Sequence, residues 1–301
     1  MVRSRSQSRS GLNFRSQMIT ILLLLVFSTT ALIACVALPS EPPTTTTTIA
    51  LPATSATNTQ ELQSELDSTG RLYINSAITS NGTLRPPSGS IIQFGPSGLL
   101  VRDLTSTGSG IDVSLPNVTI YNLRVKGSDP CYWTNTSSPN PYAIGEMYSQ
   151  YDSKREEQAA LYVHPGADGL KVYGLFANDV WGDGLTIVGG SNLRFNNVNV
   201  RCAGRTGISN VNSSNVVVDG GSVSGTLLWG LNIEPTGSTR SVSDYSVKNF
   251  SIGYTTNQWL YVGGPGFNCN VFRVDLRGVT LLPAASHTPY VAPCAVSNLS
   301  F

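Results

Sequence analysis

Short rows in which apolar and polar residues alternate recur through the middle of the chain. They read "ALYVHPG" from Ala160, "GLTIVGG" from Gly184, "GISNVNS" from Gly207, "GLNIEPT" from Gly230 and "WLYVGGP" from Trp259. The steps between them are 24, 23, 23 and 29 residues. Alternation is the period of a strand with one buried face. Leu161 and Val163 align with Leu185 and Ile187, with Leu231 and Ile233, and with Leu260 and Val262. A second row follows the first. "SNLRFNNVNV" from Ser191 and "SNVVVDGGSV" from Ser214 are again 23 apart, "PNVTIYNLRV" from Pro116 has the same form, and "DYSVKNFSI" from Asp244 is a looser copy.

Two short strands per unit at such a period predict a solenoid. A single strand cannot bury its apolar face. Units stacked in parallel give each backbone group a partner above and below, and each apolar column a continuous interior. Asn117, Asn192 and Asn215 fall at one turn position. Asn tolerates the left-handed backbone of such a turn, and stacked Asn side chains can bond along the column.

Composition agrees with strands rather than helices: 29 glycines, only 12% charged residues and many Ser, Thr and Asn. The net charge of +1 is unevenly placed. Arg3, Arg5, Arg9 and Arg15 precede the first apolar run; without them 15 basic residues face 18 acidic ones, about −3 for the rest. Such a body offers no broad basic surface, which argues against nucleic acid as a partner.

The apolar run "MITILLLLVFSTTALIACVAL", residues 18–38, contains no charge and follows the basic flank. It is long enough to span a bilayer, with the flank inside and the body outside. Its "LIAC", ending at Cys35, resembles the lipobox of bacterial lipoprotein signal peptides; that resemblance implies lipidation at Cys35. An uncleaved membrane anchor and ordinary secretion are the other readings. All three place the body outside the cytoplasm. Residues 1–38 are thus read as a basic segment with a signal or anchor. Residues 39–58, rich in Pro, Thr, Ala and Ser, are read as a disordered linker, and residues 59–301 as one domain. Residues 126–158 break the repeat as an inserted loop carrying Tyr132, Trp133, Tyr142, Tyr148 and Tyr151. Four cysteines remain in the body: Cys131, Cys202, Cys269 and Cys294. They allow two disulfides, here taken as Cys131 with Cys202 and Cys269 with Cys294 among three pairings, or free buried thiols.

The rows resemble the right-handed parallel β-helix repeats of the pectate-lyase-like superfamily, over residues 59–282. "NTQELQSELDSTGRLYINSAI" from Asn58 is similar to that group's opening, a short capping helix followed by a first strand. The resemblance implies an all-β, single-domain solenoid with an N-terminal helix covering its open end. It also implies polysaccharide as partner, bound along the outer face of one parallel sheet. Calcium enters as a cofactor only by this analogy; no cofactor is identified from the residues. The Asp motifs of the polygalacturonase-like hydrolases and the calcium-binding Asp clusters of pectate lyases have no clear copy.

The outward column of the first row is expected to be Tyr162, Thr186, Ser209, Asn232 and Tyr261, with His164, Val188, Val211, Glu234 and Gly263 beside it. Tyr162, His164, Trp229, Asn232 and Tyr261 are candidate substrate contacts, because amides and aromatic rings suit sugar hydroxyls and ring faces. Asp183 is a candidate general acid or base beside Arg205, whose cation would keep it ionised. Asp183 also suits a turn, and Arg205 a salt bridge to it. Glu234 is a further candidate carboxylate. Its place five residues along and two coils away puts it outside the ~5–9.5 Å of glycosidase pairs. No metal ligands are assigned; two histidines, His164 and His287, exclude a His-rich site. The expected function is a membrane-tethered polysaccharide lyase or glycoside hydrolase. The alternative is a non-catalytic surface glycan-binding module, and oligomeric state stays open.

Overall fold

Among the described residues, nineteen short strands and one helix wind into a coil. The computed structural model describes residues 51–102, 108–128, 158–235, 239–263, 270–282, 288–291 and 295–301. Cys35, the apolar run at 18–38, Cys131, Cys269, Cys294, His287 and nearly all of the 126–158 insertion lie outside the described residues.

Among the described residues every strand pairing is parallel, and they form a right-handed parallel β-helix. One sheet has seven strands, one per coil: Ile111–Val113, Leu161–Val163, Leu185–Ile187, Ile208–Asn210, Leu231–Ile233, Leu260–Val262 and Tyr290–Val291. The other has twelve, including the long Lys171–Val180, Ser191–Ala203, Ser213–Thr226 and Ser241–Ile252. Neighbouring coils keep register over the whole length; Leu161 pairs with Leu185, Ile208 with Leu185, Leu231 with Ile208 and Leu260 with Leu231. These four contacts stack one apolar column inside the coil, and all five residues are fully buried. Burial of such side chains stabilises by about 1.5–3 kcal/mol each.

The second row is longer than its pattern suggests. Ser213–Thr226 runs 14 residues because left-handed residues bend it without breaking the ladder. Asn117, Asn192 and Asn215 have φ of 61°, 57° and 51°, and Asp244, Arg273 and Asn298 continue their column. Asn215 Nδ2 donates to Asn192 Oδ1 at 2.7 Å, the predicted bond along the stack. A second left-handed column, not read from the sequence, runs through Asn122, Gly174, Asn197, Gly220 and Asn249.

The helix Thr59–Thr69 covers the first coil with Leu62 and Leu66, both fully buried. The Asn58 side chain accepts the Glu61 N–H at its start, and Gly70 at φ 65° donates to Leu66 O at its end. Ahead of the helix, Thr54 N–H donates to Tyr73 O at 2.8 Å. Among the described residues no helix is long and apolar enough to cross a membrane.

Candidate functional site

In the six three-residue strands of the seven-stranded sheet the outer two residues point into the coil, so the middle residue points away from it. Register aligns these middle residues as Asp112, Tyr162, Thr186, Ser209, Asn232 and Tyr261, and pairs Tyr261 with Tyr290 of the two-residue last strand. The predicted column is therefore present, extended by one polar residue at each end. Its centre is not open surface: Thr186, Ser209 and Asn232 are buried. The neighbouring column forms too, through the N–H groups of His164, Val188, Val211, Glu234 and Gly263, each bonded to the preceding coil.

Asp183 sits in the turn before this sheet and is 2% exposed. Oδ1 accepts the Thr206 N–H at 3.0 Å, and Oδ2 accepts from Thr186 Oγ1 at 3.0 Å. Its own carbonyl accepts the Ala160 N–H. The carboxylate thus ties its own coil to the next, and the backbone carbonyl ties it to the preceding one. Register sets Asp183 against Thr206, while the N–H of the half-buried Arg205 donates to Gly182 O at 3.3 Å.

Two coils on, Asn232 Nδ2 donates to Glu234 Oε2 at 3.1 Å and to Ser209 Oγ at 3.2 Å. Asn232 Oδ1 is buried without a hydrogen-bond partner. Beside Glu234 the rings of Trp229, Tyr261 and Tyr290 stack at 4.4 and 5.1 Å between centroids. Trp229 Nε1 donates to Gln258 Oε1 at 3.2 Å. Burial raises the Tyr261 hydroxyl pKa, and the negative charge of Glu234 and neighbouring Tyr290 raise it further. Because the rings cover one another, the ladder presents mainly ring edges and hydroxyls along its length.

At the opposite end stands a cluster that the repeat alignment misses. Asp112 Oδ2 lies 3.6 Å from His164 Nε2 and 3.6 Å from Arg85 Nη2. Asp112 Oδ1 is buried and has no hydrogen-bond partner. The rings of Tyr162 and His164 lie 4.6 Å apart. Tyr162 is the middle residue of Leu161–Val163 and His164 directly follows that strand, so the two share its outer side. Arg85 enters because Leu84 bridges Ile111. Its backbone is clamped by Gln63 of the capping helix, through Arg85 N–H to Oε1 at 2.7 Å and Nε2 to Arg85 O at 2.9 Å. The signal was available in "GIDV" from Gly110, a copy of "GLTI" displaced from the next row by the insertion.

Thus the structure brings together Asn232, Glu234, Tyr261 and Trp229 in one group, and Tyr162 with His164 in another. Asp183 and Arg205 lie in the turns before the sheet. Calcium takes about six to eight oxygen ligands. Among the described residues no three His, Cys, Asp or Glu side chains come together, and Asp112 faces a guanidinium and an imidazole instead. This donor set does not fit calcium. Cys202 is buried, has φ 60° and is disulfide-bonded; the other cysteines lie outside the described residues. The chain matches no protein-family model, no curated protein and no solved structure.

Proposed function

We propose that this is an exported, membrane-tethered, carbohydrate-active protein that binds polysaccharide along the outer face of the seven-stranded sheet. One observation carries the reading: seven polar or aromatic residues in unbroken register, from Asp112 to Tyr290. Adjacent strands lie about 4.8 Å apart, so the strip is roughly 29 Å long, enough for several sugars. With Thr186, Ser209 and Asn232 covered at its centre, the groups it offers sugars lie toward its ends: Tyr162 and His164 at one, Glu234 and the apolar Trp229–Tyr261–Tyr290 rings at the other. Export and tethering rest on the uncharged run at residues 18–38 and its basic flank.

Lyase or hydrolase chemistry is the leading form of this activity. The alternative is a non-catalytic recognition module. It is favoured by the state of Asp183, whose two oxygens are already taken by Thr206 and Thr186. The test is a polysaccharide panel offered to the detergent-solubilised full chain, read for unsaturated product, reducing ends and binding. Product lost in Asp183→Asn, Arg205→Ala or Glu234→Gln would place the chemistry at mid-strip. Binding without product leaves the recognition module. No binding to any glycan, with native fold confirmed by circular dichroism, ends the reading.

A further inference from the structure

We infer that the N-terminal half of the twelve-stranded sheet's outer face docks on anionic phospholipid headgroups and lays the coil along the membrane that tethers it. The inference rests on the tethering read above and adds to it a second contact surface, separate from the glycan strip.

Register builds this face as it builds the strip. Arg71, Lys171 and Arg194 fall in one outward column, aligned through Ile91 and Thr119. Tyr73, Tyr121 and Tyr173 fall in the column two residues further along, aligned through Gln93. Leu72, Val172 and Phe195 lie between the columns and are buried in the core, which turns both columns outward. Three cations and three phenol rings thus share five coils, roughly 19 Å of sheet. The two columns hold no carboxylate over those coils; the first is Asp219, in register with Asn196 on the next coil. Among the described residues no carboxylate pairs with Arg71, Lys171 or Arg194. Asp168 and Glu65 flank the face and are engaged: Asp168 Oδ1 accepts the Ser191 N–H and hydroxyl, both at 2.7 Å, and Glu65 accepts the Thr54 hydroxyl.

The chemistry of the face selects lipid. Arg71 and Lys171 are exposed, and Arg194 is held as a fixed charge by bonds from its guanidinium to Asn215 O at 2.9 Å and Asn215 Oδ1 at 3.2 Å. Anionic headgroups attract such residues, and each adds about five-fold to the partition. The Tyr121 and Tyr173 rings stack at 5.2 Å between centroids, and Tyr173 is 41% exposed, which is unusual for a large side chain in this molecule. A phenol has an apolar body and a wet tip, the combination that suits the headgroup level of a bilayer. The glycan strip has the opposite charge sense, with Asp112 and Glu234 on its outer side, so an anionic surface repels it. Both sheets turn their inner faces to one core, so a coil lying on the basic face keeps the strip off the membrane. The chain also arrives at the correct edge. Thr54 N–H donates to Tyr73 O at 2.8 Å, at the first coil of the basic face. Residues 39–54 join the apolar run to this point, a reach of at most about 58 Å.

The test reconstitutes the full chain with vesicles of phosphatidylcholine alone, or of phosphatidylcholine mixed with phosphatidylglycerol. Flotation reports tethering. Acetylation of lysines by a membrane-impermeant reagent, read by peptide mass spectrometry, reports docking. Lys171 is the reporter, and Lys126, beyond the left-handed corner at Asn122, is the reference. The expected result is flotation with both vesicles, and acetylation of Lys171 slowed relative to Lys126 by roughly five-fold or more on the anionic ones only. High salt should abolish that protection, because it screens the headgroup charge. Arg71→Glu and Tyr173→Ser should each restore labelling of Lys171 at an unchanged melting temperature. Equal labelling of Lys171 on the two vesicles overturns the inference, and flotation with both then leaves the tether standing. Flotation with anionic vesicles alone, reversed by high salt and accompanied by protection of Lys171, upholds docking and overturns the tether. Flotation with neither overturns both. Equal protection of Lys171 by soluble polyglutamate over neutral vesicles assigns the face to an acidic polymer and overturns the lipid.

Discussion

At the scale of single residues, the interior is matched in size from one sheet to the other. A β-carbon at Gly207 would lie 2.3 Å from Val223 Cγ1 and 2.6 Å from Gly230 O; one at Gly184 would lie 2.3 Å from Val200 Cγ2. Where the same column holds Ala160, the residue in register with Val200 is the smaller Ala177. The ladder bond there is also longer, 3.4 Å from Leu161 N to Gly184 O against 3.0 Å from Ile208 N to Gly230 O. Gly207→Ala is therefore expected to destabilise by about 1–3 kcal/mol in chemical denaturation. Adding Val223→Ala should recover only part of this, because the carbonyl contact remains and a methyl-sized void replaces the valine. A full recovery, or no loss in the single variant, would contradict the size-matching account. Asp179 gives a second prediction. Burial raises its carboxyl pKa, against the lowering influence of Lys126 and Arg201. A raised folded-state value means that its contribution is fully present below the unfolded pKa and lost as pH rises through the folded one. Asp179→Asn should therefore melt higher than the parent at neutral pH, with the gap closing as pH falls through the carboxylate range. Asn also accepts the φ of 55° at this position.

At the scale of elements, the left-handed columns let one long strand turn corners and still donate to its neighbours. Asn192 and Asn215 were legible as such positions because both open a visibly repeated row. Asn122, Asn197 and Asn249 were not, because Gly174 and Gly220 alternate with them and no single residue type repeats. The first column also changes chemistry along its length: Arg273 Nε and Nη2 donate to Asp244 Oδ1 and Oδ2, a bidentate pair where Asn bonds to Asn elsewhere. That pairing holds the Asp244 pKa below the usual carboxylate range, with the Arg273 hydrogen bond the largest cause. Both side chains are largely exposed, so the pair adds little stability. Asn215→Val is expected to cost about 1–2 kcal/mol from the left-handed backbone, beyond its lost bond to Asn192, whereas Asn215→Gly should keep the corner. Equal thermal shifts in the two variants would show that the side-chain bond, and not the backbone angle, controls this position.

At the scale of the whole molecule, each coil touches only its neighbours, so stability is close to a sum over coils and interfaces. Excising residues 207–229 removes one 23-residue repeat and brings Gly230 to follow Thr206. The shortened chain is expected to fold, with Asn232 in register with Thr186, a lower melting temperature and a single cooperative transition. A chain that fails to fold would show that the coils are not interchangeable modules. The same additivity explains how a strip of seven aligned residues arises from local repetition alone. The candidate site was legible to the extent that it follows the repeat: Tyr162, Asn232 and Tyr261 lie in the predicted column. It was illegible where the repeat is interrupted. The 126–158 insertion displaced Asp112 from its row, and Arg85 reaches Asp112 through a single bridge rather than a recognisable strand. Carrying the 23-residue step forward from Asp183 leads to Thr206, and the structure bonds Asp183 to that residue's N–H.

Periodicity determined the solenoid, its inward aliphatic columns and the Asn corner, because a stacked coil writes each of these at a constant spacing; the end cap was legible only through the resemblance of residues 58–78 to a known opening. The tertiary structure decided which outward residues are covered, that Asp183 spends both oxygens on its neighbours, and that Asp112 meets His164 and Arg85. Those facts depend on distances between turns and on packing at the ends of the repeat, where spacing along the chain carries no record of who lies beside whom.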